Sequence, residues 1–231
     1  MTLKLGIPSK GRLMEKSARW FAERGVEIAL TGAAREYAGA VRGVEGVDLV
    51  LLPAAEVPRE LAAGRLHLGV TGRDMVEEKL AFWDEGVAPL AELGFGHADL
   101  MIAVPDFWVD VETLDDLDGA AAAFRARHGQ RLRIATKYHR LVRAFLREAG
   151  VADYALVDSQ GATEGTVKNL QAEAIADIST TGATLRDNHL RPLQDGTILK
   201  SQAGLFRSLV AEWTAEDRAR LGTLLEKLGL S

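Results

Sequence analysis

The sequence predicts an α/β protein, and two observations carry that reading. Short apolar runs alternate with stretches of helical periodicity along the chain. Several of those runs end in a short loop that opens directly into a helix, as a β–α unit requires. At 231 residues the chain has the length of one large domain or two small ones, with ample core.

Leu3, Leu5 and Ile7 alternate as a strand. Residues 12–24 follow as a helix with Leu13, Trp20 and Phe21 on one side and Gly25 as its stop. Apolar runs at 48–52 and 66–71 predict two further strands, separated by a short helix from Val57-Pro58 to residue 63. Leu100 to Val104 reads as a buried strand closed by Pro105. Residues 106–131 are the most polar stretch and are expected to be loop. Asp115-Asp116-Leu117-Asp118-Gly119 is read there as a solvated turn in preference to a Mg²⁺ site. Leu132 to Thr136 is a strand ahead of a helix that turns Leu141, Val142, Phe145 and Leu146 inward and ends at Gly150. Residues 154–157 and 174–178 are strands, and 198–206 reads as one long strand. Thr214 and Asp217 have capping-box spacing before a last helix, whose Leu221, Leu224, Leu225 and Leu228 form a stripe ending at Gly229.

The composition, 47% hydrophobic and 26% charged, is that of a soluble globular protein. No apolar run approaches the about 20 residues of a membrane span. The N-terminus lacks the apolar core of a signal peptide, so a cytoplasmic location is expected. Zero Cys excludes disulfides and thiolate metal sites. A net charge of −5 opposes bulk nucleic-acid binding, which shows as a basic face. Small anionic substrates need only local cations, and Lys10, Arg12, Arg73, Lys137 and Arg140 are candidates.

The most informative stretch is Asp177-Ile178-Ser179-Thr180-Thr181-Gly182-Ala183-Thr184-Leu185. An apolar run reaches one acid and breaks into hydroxyls around a glycine. Gly182 permits a tight turn whose N–H groups can face an anion. Thr180, Thr181 and Thr184 add hydroxyl donors, and Asp177 suits a sugar diol or a metal but not a phosphate. A phosphorylated ribose needs both sets. A Thr/Gly turn after a buried strand fits this stretch alone equally well.

Four other stretches stand in strand–loop–helix contexts. In Gly6-Ile7-Pro8-Ser9-Lys10-Gly11-Arg12-Leu13 the glycine spacing mimics a P-loop. Arg12 and Leu13, however, replace the Lys and Ser/Thr of a nucleoside-triphosphate hydrolase. An anion site with Lys10 and Arg12 as cations and an exposed basic loop both remain open. In Gly69-Val70-Thr71-Gly72-Arg73-Asp74, Gly72 offers close approach to a flat ring, and a helix cap explains Asp74 as well as function does. Thr136-Lys137-Tyr138-His139-Arg140 places cations near a helix N-terminus, which is unfavourable unless an anion sits beside them. In Ser159-Gln160-Gly161-Ala162-Thr163-Glu164-Gly165-Thr166, Glu164 either shares a ligand's hydroxyls with Asp177 or is a surface or capping acid. The five histidines lack metal-ligand spacing, no G-x-S-x-G elbow occurs, and Gly94-Phe95-Gly96 lacks the third glycine of a dinucleotide fingerprint.

In order along the chain, several segments resemble the ATP phosphoribosyltransferase family of histidine biosynthesis. They are Pro8 to Leu13, Gly69 to Gly72, Leu93 to Gly96 and Arg133 to Tyr138. A signature then runs from Gly161 and Glu164 through Ala172, Ile175 and Asp177 to Thr181-Gly182, Thr184-Leu185 and Asn188. The resemblance implies an α/β, two-lobed type II periplasmic-binding-protein-like fold with a cleft between the lobes. Lobe I would span 1–93 plus 190–231 and lobe II 94–189, the latter carrying the 5-phosphoribosyl-binding loop, with no C-terminal regulatory domain. It implies a short-form subunit, a homodimer that also forms a hetero-oligomer with a histidyl-tRNA-synthetase-like regulatory subunit.

The implied reaction joins ATP N1 to the ribose C1 of phosphoribosyl pyrophosphate and releases pyrophosphate. Mg²⁺ would ride mainly on the substrate pyrophosphate, with no metal site in the protein. Substrate-binding residues would be Asp177, Ser179, Thr180, Thr181, Gly182, Ala183, Thr184 and Glu164 for the phosphoribosyl group. Lys10, Gly11 and Arg12 would serve the phosphates, and Thr71 and Gly72 the adenine. No single catalytic residue is implied. A non-catalytic two-lobed binding or sensor protein is the alternative. A phosphoribosyltransferase for another base is disfavoured because Ala176, not a second acid, precedes Asp177.

The chain departs from the family pattern in three places. Leu51 to Glu56 lacks the basic residue many members carry there. Ala98-Asp99 replaces Cys-Arg. Asn169-Leu170-Gln171-Ala172-Glu173 stands where Ala-Gly-Leu-Ala-Asp is common.

Overall fold

The computed structural model describes residues 2–30, 38–159 and 161–230, so Gln160 of the Ser159–Thr166 stretch lies outside the described residues. The chain forms two compact units, Met1–Gly96 with Gln202–Ser231, and His97–Ser201.

The first unit begins with β1 (Leu3–Pro8), α1 (Gly11–Ala22), β2 (Glu27–Leu30), β3 (Ala38–Arg42) and β4 (Val47–Leu52). It continues with α2 (Val57–Ala62), β5 (Leu68–Gly72), α3 (Arg73–Lys79), α4 (Trp83–Gly86) and β6 (Val87–Glu92). Its sheet has the order β2-β3-β4-β1-β5-β12-β6, where β12 is Ala203–Ser208. β4, β1 and β5 run parallel, and β12 lies antiparallel to β5 and β6. Leu3, Leu5 and Ile7 are fully buried with Leu68 and Val70, which is why these runs read as nearly continuous apolar strands. Gly6 is glycine for a packing reason: a Leu66 methyl occupies the place of its Cβ. Helix α9 (Ala215–Leu228) closes this core with Leu224 and Leu228, and the Thr214–Asp217 capping box is formed.

The second unit holds β7 (Ala98–Pro105), α5 (Leu114–His128), β8 (Leu132–Thr136), α6 (His139–Glu148) and β9 (Tyr154–Asp158). After these come α7 (Gly165–Lys168), β10 (Ala174–Ser179), α8 (Ala183–Asp187) and β11 (Leu190–Ser201). The sheet order is β11-β7-β10-β8-β9; β9, β8 and β10 are parallel, and β7 is antiparallel to β10 and β11.

Three expectations are corrected. The stretch expected as loop at 106–131 contains α5. Thr113 Oγ1 accepts the Asp116 N–H at 3.3 Å, and Asp116 accepts the Thr113 N–H at 2.9 Å. This capping box outweighs a polar composition, and Leu114, Leu117 and Ala121 bury the helix's inner face. The long strand expected at 198–206 is two strands in two sheets. Ser201 pairs with Ala98, whereas Ala203 pairs with Gly72. Gln202 marks the crossing; its Oε1 accepts the Gly94 N–H and its Nε2 donates to Glu92. The chain therefore changes unit after Gly96 and again after Ser201, where residues 93 and 190 were expected, because β11 pairs with β7 from Leu190 to Ser201.

Candidate functional site

In each unit the singled-out residues gather where parallel strands end, the edge at which open α/β sheets bind ligands. In the first unit, Pro8 and Leu52 are register partners, and Ser9 N–H donates to Leu52 O at 2.8 Å. This carries Lys10, Gly11 and Arg12 across the end of β1. All three are exposed, and Gly11 has φ 79°, a conformation that suits glycine. At the neighbouring end of β5, Thr71 is buried and its hydroxyl donates to Ala54 O at 3.1 Å. The space above Gly72 is taken by the chain's own Asp74, whose carboxylate oxygen stands where a Cβ would be. The close approach expected for a flat ring is used by Asp74, and any side chain at position 72 would displace it.

In the second unit, Thr136 pairs with Asp158 on one side and with Ala176 on the other. The residues after β8, β9 and β10 therefore emerge together. Asp177 is 11% exposed. Its Oδ1 accepts the Ile178 N–H at 2.8 Å, and its Oδ2 lies 3.7 Å from Lys137 Nζ. The carboxylate is thus fixed by one oxygen, with the other turned to a cation.

The hydroxyl-rich turn follows. Gly182 adopts φ 70°, ψ 0°, and its N–H donates to Ser179 Oγ at 3.0 Å. Thr180 Oγ1 donates to His97 O at 3.0 Å, and Ala183 N–H reaches Thr181 Oγ1 at 3.4 Å. Thr184 is exposed, and its carbonyl accepts from Asn188 Nδ2 at 2.9 Å. The turn is braced by its own hydroxyls, so a bound phosphate would exchange some of these bonds for its own. Glu164 stands at the N-cap position of α7 without a side-chain capping bond. Among the described residues Glu164 and Asp177 share no hydrogen-bond partner.

The sequence reading missed one cation here. Arg186 Nη1 donates to Thr181 O at 3.3 Å and folds back over Gly182. Its only sequence signal is its position four residues beyond Gly182 in the following helix.

The base of β10 is held by a different pair. Arg133 donates to Glu173 from its backbone N–H at 2.8 Å and from Nε and Nη2 at 3.1 and 2.6 Å. Burial pushes the Glu173 carboxyl up, but these Arg133 hydrogen bonds outweigh it and leave it below the usual glutamate range. Arg133 also holds Leu170 O at 3.1 Å. Leu170 itself has φ 57° and is 81% exposed. The backbone is left-handed there, a conformation that suits glycine, and this chain places a leucine in it.

The fold defines the broad class. Two α/β units of this kind occur in periplasmic binding proteins. The arginine-bound ArgBP from Thermotoga maritima matches with a TM-score of 0.53 at 14% identity, covering 99% of this chain and 95% of that one. A chain of the ATP phosphoribosyl transferase (HisG:HisZ) complex from the same organism matches with a TM-score of 0.75 at 22% identity, covering 99% and 96%. An acid beside a hydroxyl-rich left-handed turn is compatible with a pentosyltransferase built on that fold.

The particular family comes from sequence. The model of HisG: ATP phosphoribosyltransferase matches residues 53–229, and the chain belongs to this family. It is 67% identical over 230 residues to the ATP phosphoribosyltransferase of Cereibacter sphaeroides, covering 100% of this chain and 97% of that one. It is 48% identical over 227 residues to that of Mesorhizobium japonicum, covering 98% and 97%. The activity is phosphoribosyl transfer to ATP, the first step of histidine biosynthesis. A non-catalytic binding or sensor role gives way to it.

Proposed function

We propose that the strand-end loops divide the two substrates of this reaction. The single observation that carries the reading is Asp177, fixed by the Ile178 N–H and facing Lys137 at the entrance to the left-handed Gly182 turn. Ser179, Thr180, Thr181, Gly182, Ala183 and Thr184 take the 5′-phosphate through hydroxyl and N–H donors, Thr180 through its N–H because its hydroxyl is held by His97 O. Asp177 accepts hydrogen bonds from the ribose hydroxyls, and Glu164 assists. Lys10, Gly11 and Arg12 receive ATP or pyrophosphate oxygens. Thr71 and Gly72 form the floor of the adenine site, with the Asp74 carboxylate between Gly72 and the ring. Because the Thr71 hydroxyl is already donated to Ala54 O, its contribution is apolar.

Adenine N1 forms the new bond to ribose C1 as the C1–O bond to pyrophosphate breaks and its electron pair leaves with pyrophosphate. Positive charge builds on the ribose and negative charge on the leaving group. Alignment and fixed charges are therefore the main catalytic devices. N1 of adenine is neutral and carries no proton to remove, so no general base is assigned.

Magnesium would arrive on the substrate rather than on a set of protein ligands. There it would offset pyrophosphate charge. The partners we propose are a second copy of this chain and a histidyl-tRNA-synthetase-like regulatory subunit. The fold likeness to a chain of a HisG:HisZ complex supports the second. Among the described residues no helix is long and apolar enough to cross a membrane, which is compatible with the cytoplasmic setting we propose.

The test is to mix the protein with ATP, phosphoribosyl pyrophosphate and Mg²⁺, and to follow the ultraviolet absorbance of N1-substituted adenine. Pyrophosphatase is added to pull the reaction forward. The expected result is product that requires both substrates. Absence of product, with and without the regulatory subunit, overturns the reading.

A further inference from the structure

We infer a second anion-binding site at the opposite end of the second unit's sheet, formed by Arg131, Arg143 and Arg147. The three guanidiniums line a hollow of about 580 Å³ whose remaining wall includes Val151, Tyr154 and Leu156. Arg131 precedes β8, Arg147 lies in the last turn of α6, and Tyr154 opens β9. The hollow therefore sits at the N-terminal ends of β8 and β9. Lys137 and the Asp177 loop lie beyond the other ends, roughly 13 Å of strand away. The inference is independent of the roles proposed for those loops.

Three observations make this a site rather than a solvated basic face. First, no acidic side chain lines the hollow, and among the described residues none of the three arginines has a carboxylate partner. Glu148, next to Arg147 in the chain, does not line the hollow, and two acids around it are committed elsewhere. Asp118 Oδ1 accepts the Ala152 N–H at 2.9 Å, and Asp153 pairs with Arg125. Second, Arg143 and Arg147 are one helical turn apart, an arrangement of like charges that is unfavourable without an anion between them. It occurs in a chain of net charge −5, where unpaired cations are not in surplus. Third, the volume and the mixed lining match a small-molecule site, with a ring and aliphatic wall beside the charges.

Guanidinium forks bind phosphate oxygens in pairs. The ligand chemistry is an oligophosphate, carried by a nucleotide whose base lies on Tyr154 and Leu156 or present as the free anion. The experiment titrates the full-length protein calorimetrically with UDP and, separately, with inorganic tripolyphosphate. Wild type is compared with R143Q/R147Q and with R131Q, which lies outside any helix.

The expected result is at least a tenfold loss of affinity in both variants, with ATP phosphoribosyltransferase turnover and melting temperature unchanged. Tighter binding of UDP than of tripolyphosphate assigns a nucleotide, and equal binding assigns the free anion. Isotherms identical in wild type and both variants overturn the inference. A loss of turnover that tracks the loss of binding overturns it as well, because the anion would then be held by the catalytic site.

Discussion

Replacing Asp177 with asparagine removes one negative charge at nearly constant shape. Asparagine keeps an oxygen that can accept the Ile178 N–H, a bond now 2.8 Å long. What disappears is the charge on Oδ2, 3.7 Å from Lys137 Nζ. Lys137 is 42% exposed, so solvent screens that pair and its loss costs the fold no more than about 1 kcal/mol. In a chain of this length that is a fall of about 2–4 °C in melting temperature at most.

The effect on catalysis is larger. A hydrogen bond to a charged acceptor contributes about 1.5–3 kcal/mol, and each 1.36 kcal/mol is a factor of ten. The kcat/KM for phosphoribosyl pyrophosphate should therefore fall roughly 10- to 150-fold. The assay is initial rate against phosphoribosyl pyrophosphate at saturating ATP with pyrophosphatase present, alongside a thermal melt. A kcat/KM within about twofold of wild type would refute the ribose role. A melting temperature that collapses would refute the claim that Asp177 is dispensable to the fold.

Three further outcomes follow from the same geometry. Leu170→Gly relieves a left-handed leucine, about 1–2 kcal/mol, against a glycine entropy cost of about 0.5–1 kcal/mol. It should therefore be more stable than Leu170→Ala by about 0.5–1 kcal/mol in urea unfolding, and an alanine variant as stable as the glycine one would contradict the strain. Thr214→Ala removes the cap of α9 and should lower stability by about 0.5–2 kcal/mol at unchanged m-value; no shift in the urea midpoint would show the capping box to be idle. Glu173 titrates below its ordinary value of 4.5 in the folded protein, so its contribution is fully present above that pH and is lost as pH falls through the folded value. Glu173→Gln should thus be markedly less stable than wild type at neutral pH, with the gap narrowing as pH falls below 4.5 through the folded value, and a gap that does not narrow in acid would remove the pair from the acid response.

Much of the fold was legible because its signals are local. The strands at 3–8, 47–52 and 132–136 announce themselves by their apolar runs, and α9 by its cap and leucine stripe. At α5 two local signals compete: Thr113 and Asp116 carry the same capping signal as Thr214 and Asp217, while the run of acids after them reads as a solvated turn. The long strand expected at 198–206 failed for a different reason. Nothing in its residues distinguishes a strand that continues from one that changes partner at Gln202. The partners, β7 and β5, lie about a hundred residues upstream or more.

The sequence by itself determined the reaction, because the order of Pro8–Leu13, Gly69–Gly72 and the Glu164–Asn188 signature belongs to one family. It also placed the ends of α1, α6 and α9 within a few residues, since caps and left-handed glycines act at that range. Tertiary structure alone decided which side chains are free for a ligand. Thr71 gives its hydroxyl to Ala54, Asp74 fills the space over Gly72, and Thr180 is tied to His97. It also brought Lys137 to Asp177, two residues that the pairing of β8 with β10 sets side by side. These pairings depend on strand register and on backbone groups far away in the chain, and chemistry at that range exists only once the sheets have formed.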